Sequence, residues 1–322
     1  MLADIVVDLQ YGDCGKGKIT HHLCKSGEYT HVLRYNGGCN AGHTIYHEGK
    51  KFVTHHIPAG VFFGIKSIIG SGCVVNPVQF FAEIEELEAA GIKTDGLVFI
   101  AHNAHVITAD HLAEDGGDTT IGTTKQGNGP AYRDKYARTG LQAKDIPSFQ
   151  PYLVDLFEEF HNAGASPRIL CEGAQGFGLD IDHGDYPYVT SSHCTTAGAL
   201  LNAIPPAWIR DVWGVGKIYE TYVAQKNFEP EEYGATTGRP RQCNWMDLNL
   251  VTRALKINGV NKVVFNKVDV LRETDTWRLI SDGKTLEFNS EDDMRTFLVN
   301  TLASRDGDVS REFFFSGNKN GI

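Results

Sequence analysis

The sequence has no run of about 18 apolar residues, and its first residues, MLADIVVD, lack a basic segment followed by an apolar one. We therefore expect neither a membrane span nor a signal peptide, and we expect a cytoplasmic protein. Basic residues are also scarce, because 30 Lys and Arg stand against 40 Asp and Glu, a formal net charge of −10. Binding to a phosphate backbone rests on clustered cations, so this charge argues against nucleic acid as a partner.

Paired cysteine motifs are absent as well. The seven cysteines are an odd number, are scattered along the chain and never form C-x-x-C. This pattern argues against a disulfide framework and against a zinc site built on cysteines. We expect seven reduced thiols.

Apolar segments typical of buried strands alternate with segments of helical spacing. This alternation predicts an α/β fold with a mainly parallel central sheet, helices on both sides and ligand-binding loops at the carboxyl ends of the strands. With no linker or internal repeat, we expect one domain over residues 1–322. The predicted strands are residues 5–9, 67–69, 97–101, 169–171, 212–218 and 263–266. The predicted helices begin at residue 19 and span 77–90 and 152–163. The predicted long functional loops are 37–44, 116–132, 181–196 and 227–244.

The stretch DLQYGDCGKGKIT, residues 8–20, resembles a phosphate-binding loop between the first strand and the first helix. Small residues let backbone N–H groups approach an anion, and Lys16 can reach the terminal phosphates of a nucleotide. An ordinary tight turn is the alternative. Asp13 repels phosphate unless a cation lies between them, so it suggests a Mg²⁺ ligand, a base, or both. The residues of this phosphate loop are Gly12, Cys14, Gly15, Lys16 and Gly17.

Two further loops contain residues suited to phosphate groups. NGGCNAGHT, residues 36–44, presents His43 after two glycine-rich steps, where an imidazole can touch a transferring phosphoryl group; a surface or core histidine is the alternative. IGTTKQGNGPAYRDKYARTG, residues 121–140, has the composition of a site for a phosphate monoester, and equally that of a solvated loop.

Two later segments suit a carboxylate and a purine base. EYGATTGRPRQCNW, residues 232–245, brings Arg239 close to Arg241, and the planar fork of arginine binds carboxylates in a bidentate manner. NKVDV, residues 266–270, follows an apolar strand. Its spacing allows Asp269 to accept from N1–H and N2–H of guanine while Lys267 lies along the ring.

These loops together resemble the adenylosuccinate synthetase family, in order and over nearly the whole chain. The segments that carry the resemblance are GDCGKGK, NAGHT, EGAQG, DIDHG, GATTGR and NKVDVL. The resemblance implies a P-loop-related α/β ligase that phosphorylates O6 of a 6-oxopurine nucleoside monophosphate and lets the amine of L-aspartate displace that phosphate. It implies Mg²⁺ and a purine nucleoside triphosphate, GTP, with ATP or dATP as alternatives.

The same resemblance implies roles for individual residues in the reaction. Asp13 matches the catalytic base and Mg²⁺ ligand, with the Gly42 carbonyl as a second metal ligand. His43 matches the acid that stabilises the moving phosphoryl group, Lys16 supports the transfer, and Gln175 orients the purine at O6.

Binding roles follow from the resemblance in the same way. Arg138 matches an arginine that reaches the neighbouring subunit's substrate, which implies a homodimer. The other residues implied are Asn40, Thr124 and Thr190 for the nucleotide, Thr237, Arg239 and Arg241 for aspartate, and Lys267, Asp269, Ser316 and Gly317 for the donor base.

Two substrates divide the family, and the sequence has features of both branches. The short length, the DLQ lead-in and the segment TYVAQKNFEPEEY, where cellular members have TRVGAGPFPTE, favour a phage branch that acts on dGMP and forms 2-amino-2′-deoxyadenylosuccinate. Asp13, which that branch tends to replace by serine, favours the cellular substrate IMP. The sequence-based hypothesis is dGMP, with IMP as the alternative and a GTP-binding switch as a third interpretation.

Overall fold

The computed structural model describes residues 1–117, 123–162, 164, 166–222, 232–233, 240–303, 309–317 and 322. The strands are β1 (Leu2–Asp8), β2 (His31–Arg34), β3 (His43–His47), β4 (Lys50–Thr54), β5 (Lys66–Ile69), β6 (Val74–Val75), β7 (Val98–Ala101), β8 (His105–Val106), β9 (Leu153–Val154), β10 (Arg168–Glu172), β11 (Ile209–Lys217), β12 (Tyr219–Tyr222), β13 (Glu232–Tyr233), β14 (Pro240–Asp247), β15 (Lys262–Asn266), β16 (Trp277–Ser281), β17 (Lys284–Phe288) and β18 (Glu312–Ser316). The α-helices are α1 (Lys16–Cys24), α2 (Pro77–Ala89), α3 (Ala109–Gly117), α4 (Asn128–Ala137), α5 (Thr196–Leu200), α6 (Leu248–Asn258), α7 (Val268–Thr274) and α8 (Glu291–Leu302).

A parallel sheet forms the centre of the molecule. Within the described residues it has nine strands in the order β18-β15-β11-β1-β10-β2-β5-β7-β9. Each neighbouring pair is parallel, so the carboxyl ends of the strands meet at one edge of the sheet. The predicted α/β fold with a mainly parallel sheet is confirmed.

Helices cover both faces of this sheet, because side chains alternate along each strand. On β1, Val6 packs into one apolar cluster together with Ile19 of α1. Its neighbours Ile5 and Val7 point the other way, into a larger cluster that includes Val251 of α6. None of the helices among the described residues is long and apolar enough to cross a membrane.

A smaller sheet lies beside the central one and was not expected from the sequence. Its strands follow the order β12-β14-β16-β17, with β13 paired to β14. β16 and β17 form an antiparallel hairpin whose turn residues Asp282 and Gly283 both have positive φ, at 49° and 70°. An Asp-Gly pair between apolar stretches is a strong hairpin signal, so this part of the sheet was readable from the sequence.

The predicted helix over 152–163 is wrong in its first part. Leu153 and Val154 form the edge strand β9, which pairs with Ile100 and Ala101 of β7. The chain then turns at Asp155, whose carboxylate accepts from the N–H of Phe157 at 2.8 Å, and a π-helical turn follows over Glu158–Asn162.

Three predicted loops also contain regular structure. The loop 37–44 ends in β3, the loop 116–132 begins in α3 and ends in α4, and the loop 227–244 ends in β14. Hydrogen bonding between neighbouring segments overrides the loop-like composition of these stretches. The other predicted strands and the helix over 77–90 are confirmed to within three residues, and the single domain over 1–322 stays a prediction.

Candidate active site

The phosphate loop is folded around a buried carboxylate. β1 ends at Asp8, whose Oδ1 accepts from the N–H groups of Gln10 at 3.0 Å and Gly12 at 3.2 Å. Its Oδ2 accepts from the N–H of Cys14 at 3.2 Å. These hydrogen bonds hold the loop around the buried Asp8 carboxylate, so the loop has its shape without a bound ligand. The positive φ of Gly15, 96°, then turns the chain into α1, which begins at Lys16.

Lys16 lies within this loop and is buried. Its Nζ contacts Asp8 Oδ2 at 3.0 Å and donates to the backbone carbonyl of Gln175. The predicted contact between Lys16 and a terminal phosphate is untested, but the contact with Gln175 brings the loops after β1 and β10 together. Asp8 was not among the residues predicted from the sequence, although an acid at the end of an apolar strand was a readable signal.

Asp13 lies at the tip of the phosphate loop, with a positive φ of 56° and an exposed side chain. Its side chain is therefore exposed to solvent, while that of Asp8 is enclosed. An exposed carboxylate beside a phosphate-binding loop is chemically able to act as a base or to bind a cation.

His43 is the first residue of β3, and two buried charged residues contact its ring. Its Nδ1 contacts Glu172, the last residue of β10, and lies 3.2 Å from Arg34 Nη1. Arg34 Nη1 also donates to Glu172 Oε1 at 3.3 Å, and the other Glu172 oxygen accepts from Ala59 N at 3.0 Å. Burial and, to a smaller extent, the nearby Arg34 guanidinium lower the pKa of His43, Glu172 opposes both effects, and the resulting pKa is about 4.

Neither Glu172 nor Arg34 was predicted from the sequence as part of the site. Burial alone raises the pKa of the Glu172 carboxyl, but His43 and Arg34 bring that pKa below its ordinary value, so Glu172 is an anion. The signal was a charged residue at the carboxyl end of each of two apolar strands, β2 and β10.

Gln175 lies in the loop after β10 and contacts Asn40. Its Nε2 donates to Asn40 Oδ1 at 2.7 Å, and its Oε1 accepts from Asn36 Nδ2 at 3.4 Å. Asn36 also donates to Ser192 Oγ at 3.1 Å. The structure thus brings together two of the predicted residues, and it adds Asn36 and Ser192, which hold the Gln175 carboxamide in one orientation.

The other residues predicted for the nucleotide lie on the surrounding loops. Thr124 and Thr190 are half-buried, and the N–H of Thr190 donates to Leu179 O at 2.8 Å. Arg138 ends α4 with a positive φ of 65°, and its side chain is exposed. The predicted contact of Arg138 with a second copy of the chain stays a prediction.

The residues predicted for the donor base converge at the ends of β15 and β18. Asn266 and Ser316 are register partners on these strands, and a Cβ on Gly317 would lie 3.1 Å from Asp269 Cβ. Asn266 Nδ2 donates to Cys14 O at 2.7 Å, which links this edge to the phosphate loop.

Lys18 joins the same edge from α1, a contact that the sequence did not predict. Its Nζ donates to Ser316 Oγ at 3.0 Å. Burial lowers the pKa of Lys18 to about 8, nearby Asp269 opposes the shift and Lys267 adds to it. This edge thus combines a carboxylate, a hydroxyl and two ammonium groups, a set able to recognise a polar base edge.

Comparison with known proteins identifies the family. The adenylosuccinate synthetase family model matches residues 5–151 and 146–287. The chain belongs to the adenylosuccinate synthetase family. It is therefore a carbon–nitrogen ligase of the adenylosuccinate synthetase type.

Relatives and solved structures agree with this assignment. The adenylosuccinate synthetase of Chlorobium chlorochromatii (strain CaD3) is 37% identical, with 88% of this chain and 81% of the relative covered. The fully ligated adenylosuccinate synthetase of Plasmodium falciparum has a TM-score of 0.76 at 29% identity, covering 89% of this chain and 83% of that one. The cyanophage S-2L succinoaminodeoxyadenylate synthetase, bound to dGMP and dATP, has a TM-score of 0.71 at 22% identity, covering 93% and 99%. This last likeness shows the shared fold.

The donor set fits the Mg²⁺ that the adenylosuccinate synthetase family uses. Among the described residues, no three His, Cys, Asp or Glu side chains cluster as a metal site. Mg²⁺ needs no such cluster, since it commonly binds one or two carboxylates together with substrate phosphates and water. The exposed Asp13 carboxylate supplies one such oxygen beside the phosphate loop, and the Gly42 carbonyl precedes His43. Their role as Mg²⁺ ligands stays a prediction.

The predicted aspartate-binding segment is largely outside the described residues. Thr237 and Arg239 fall in the stretch 234–239. Arg241 pairs with Glu232 through the backbone of β14, and its side chain is outside the described part of the chain. These assignments stay predictions.

Proposed function

We propose that this adenylosuccinate synthetase-type ligase joins L-aspartate to C6 of IMP, with GTP as the phosphoryl donor. The main observation in support is that the loops after β1, β10 and β15 meet at one edge of the sheet. There Lys16 contacts Gln175, and Asn266 contacts Cys14. A donor triphosphate and a purine acceptor held by these loops meet beside His43. The curated relatives, which are 35–38% identical and named adenylosuccinate synthetase, support IMP as the acceptor.

The proposed reaction has two steps. Asp13 takes the N1 proton of the purine and O6 attacks the γ-phosphorus of GTP. The bond from that phosphorus to the β,γ-bridging oxygen breaks, so GDP leaves and a 6-phosphoryl nucleotide is formed. The amine of aspartate then attacks C6, and inorganic phosphate leaves with the O6 oxygen. Bound Mg²⁺ supplies neutralisation of the negative charge on the phosphates. Lys16 adds charge for the moving phosphoryl group, and His43 donates a hydrogen bond to it from Nε2 in the doubly protonated form of the ring, which the negative phosphates favour; phosphoryl transfer depends mainly on such positioning and electrostatics.

The binding roles of the remaining residues belong to the same proposal. Gln175 holds the purine at O6 while Asn40, Thr124 and Thr190 bind the nucleotide. Arg138 reaches the substrate of a second copy, so the active form is a homodimer. The remaining residues bind the other two substrates: Thr237, Arg239 and Arg241 bind aspartate, and Lys267, Asp269, Ser316 and Gly317 bind guanine.

A second candidate acceptor is dGMP, which was the hypothesis drawn from the sequence. The names of the relatives favour IMP over it. Two features of this chain still favour dGMP: the DLQ lead-in, whose Asp8 organises the phosphate loop, and the segment 221–233, which lacks the arginine and glycines of cellular enzymes near the ribose. The cyanophage protein bound to dGMP and dATP has the same fold and a similar length.

A phosphate-release assay decides between these functions. Purified protein with Mg²⁺ is given each of IMP, GMP, dGMP and dIMP, each of GTP, ATP and dATP, with and without L-aspartate. We expect release when IMP, GTP and aspartate are all present. Faster release with dGMP than with IMP assigns the phage-type acceptor instead. Release from GTP without aspartate or acceptor contradicts the ligase and supports a GTP-binding switch.

A further inference from the structure

Two buried charged residues, Glu172 and Arg34, surround Nδ1 of His43. Glu172 and Arg34 are almost fully enclosed, and the His43 side chain is 6% exposed. Both ring contacts, from Glu172 and from Arg34, fall on the same atom, Nδ1. The second ring nitrogen, Nε2, is buried and has no hydrogen-bond partner within the described part of the chain.

Of the two groups that contact Nδ1, only one can accept a hydrogen bond from a ring N–H. A guanidinium can only donate, and an ionised carboxylate can only accept. Arg34 has other acceptors, because it donates to Glu172 Oε1 and to Ala41 O, each at 3.3 Å. Glu172 is in closer contact with the ring. The proton therefore lies on Nδ1 and points at Glu172, and Arg34 serves to hold the carboxylate in place.

The orientation of the ring follows from the same contacts. Gly17, at the start of α1, lies against His43, since a Cβ on Gly17 would be 2.9 Å from His43 Cβ. The imidazole thus lies over the first turn of the helix that follows the phosphate loop, the part of a helix where anions bind. A buried nitrogen without a hydrogen-bond partner is unfavourable, so a partner that arrives with the ligand is favoured at Nε2.

We propose that Glu172 is a positioning residue that holds the His43 ring by Nδ1–H, so that Nε2 is the nitrogen presented to the transferring phosphoryl group. This inference rests on the proposed function, in which His43 assists phosphoryl transfer. It is the logic by which a buried aspartate fixes the catalytic histidine in serine proteases, where the amide variant keeps the geometry but presents the wrong tautomer. Glu172 itself touches no substrate.

The kinetic test uses Glu172→Gln, which preserves shape and one acceptor oxygen but removes the charge that selects Nδ1–H. We expect kcat to fall by about 10²-fold, with KM for both nucleotides within about threefold, because the lost interaction acts in the transition state. The matched control is Glu83→Gln, since Glu83 is an equally buried carboxylate that holds the N–H groups of His55, His56 and Ile57. That variant should leave kcat within about threefold.

A double-mutant cycle separates positioning from general damage. If Glu172 acts through His43, then adding Glu172→Gln to His43→Asn should cost less than about threefold further activity. Losses that multiply, or a Glu172→Gln kcat close to that of the unmodified protein, overturn the inference. If no phosphate is released by the unmodified protein, the proposed function has failed and the tautomer measurement still decides the inference.

The nitrogen of His43 that carries the proton can be identified by NMR, which requires neither enzyme activity nor a folded variant of Glu172. ¹⁵N spectra of the histidine rings of the unmodified protein are recorded, and the His43 signals are identified among the 13 histidines by their loss in His43→Asn. The inference requires a proton on Nδ1. A His43 ring that is protonated at Nε2 alone overturns it, whatever the kinetics show.

Discussion

At the residue scale, the site depends on buried charged side chains that hold in place the groups proposed to contact the ligands. Asp8 holds the phosphate loop from behind, and Glu172 does the same for His43. Asp13 and Asp8 are both acids of the first loop, yet one is exposed and the other is enclosed by four donors. Their substitutions should therefore have opposite effects on stability and activity.

Asp8→Asn should destabilise the fold. The amide leaves Lys16 and Cys14 N facing a donor instead of an acceptor, and breaking a buried ion pair costs about 3–5 kcal/mol. Denaturant unfolding monitored by circular dichroism measures this loss. The control is Asp185→Asn, where an exposed carboxylate accepts from Tyr11 Oη at 2.7 Å, and we expect about 1 kcal/mol or less. Equal losses in the two variants contradict the internal role of Asp8.

Asp13→Asn should reduce activity without destabilising the fold, since it removes the proposed base but leaves the loop folded. We expect turnover to fall by about 10²–10⁴-fold while the Kd for the donor nucleotide changes by less than about tenfold. Steady-state kinetics and calorimetric binding to the same preparation test this. A variant that keeps more than about a tenth of the rate argues against Asp13 as the base.

Asp269 should set the choice of donor base. In the proposed site its carboxylate pairs with N1–H and N2–H of guanine, which adenine does not present, and an acceptor that the bound base covers and leaves unpaired costs about 1–3 kcal/mol. We expect kcat/KM for GTP to exceed that for ATP by about 5- to 150-fold, and Asp269→Asn to reduce that ratio. Equal or better use of ATP or dATP by the unmodified protein would show that the NKVDV segment does not select guanine.

At the element scale, the parallel strands and α2 were predictable because their apolar patterns are local. The same patterns could not show which elements meet. Lys18 contacts Ser316, which lies 298 residues further along the chain, and His43 contacts Glu172, which lies 129 residues further; no local spacing encodes such pairs. The composition of residues 153–154 suits a helix, but pairing with β7 at the sheet edge outweighs that preference.

The first turn of α1 packs closely against His43. Gly17→Ala places a methyl group 2.9 Å from His43 Cβ, so either the helix or the histidine must move. Although alanine favours a helix by about 1 kcal/mol over glycine, we expect no gain in Tm and a fall in kcat of at least about tenfold. Gly116→Ala in α3, where a Cβ meets no atom within 4 Å, is the control and should keep full activity. Wild-type kcat in Gly17→Ala would contradict this packing.

At the scale of the whole molecule, buried titratable groups limit stability on both sides of neutral pH. Burial lowers the pKa values of His21 and His56 to about 4 from 6.5, and neutral His56 accepts a hydrogen bond from Asn76 N at 3.2 Å. The unfolded chain binds more protons there, so stability is present above pH 6.5 and is lost as the pH falls toward 4.

Glu220 acts in the opposite direction, because burial raises its pKa to about 8 from 4.5. The folded state binds the extra proton, so this contribution is present below pH 4.5 and is lost as the pH rises through 8. We expect Tm to be highest near the middle of this window and to fall on both sides. Glu220→Gln should flatten the alkaline side alone; an unchanged profile in that variant would contradict the assignment.

The hydrogen bond from Asn266 to Cys14 has a consequence for the length of the donor. It ties the end of β15, which the proposed function assigns to the base, to the loop that it assigns to the phosphates, so the span between the two is set by the protein. In the proposed site a triphosphate would bridge that span from the base edge to His43. A diphosphate with the same base would stop one phosphate short, so the spent donor would keep its base contacts but lose its contact at the far end, and the site would distinguish the two donors by their length.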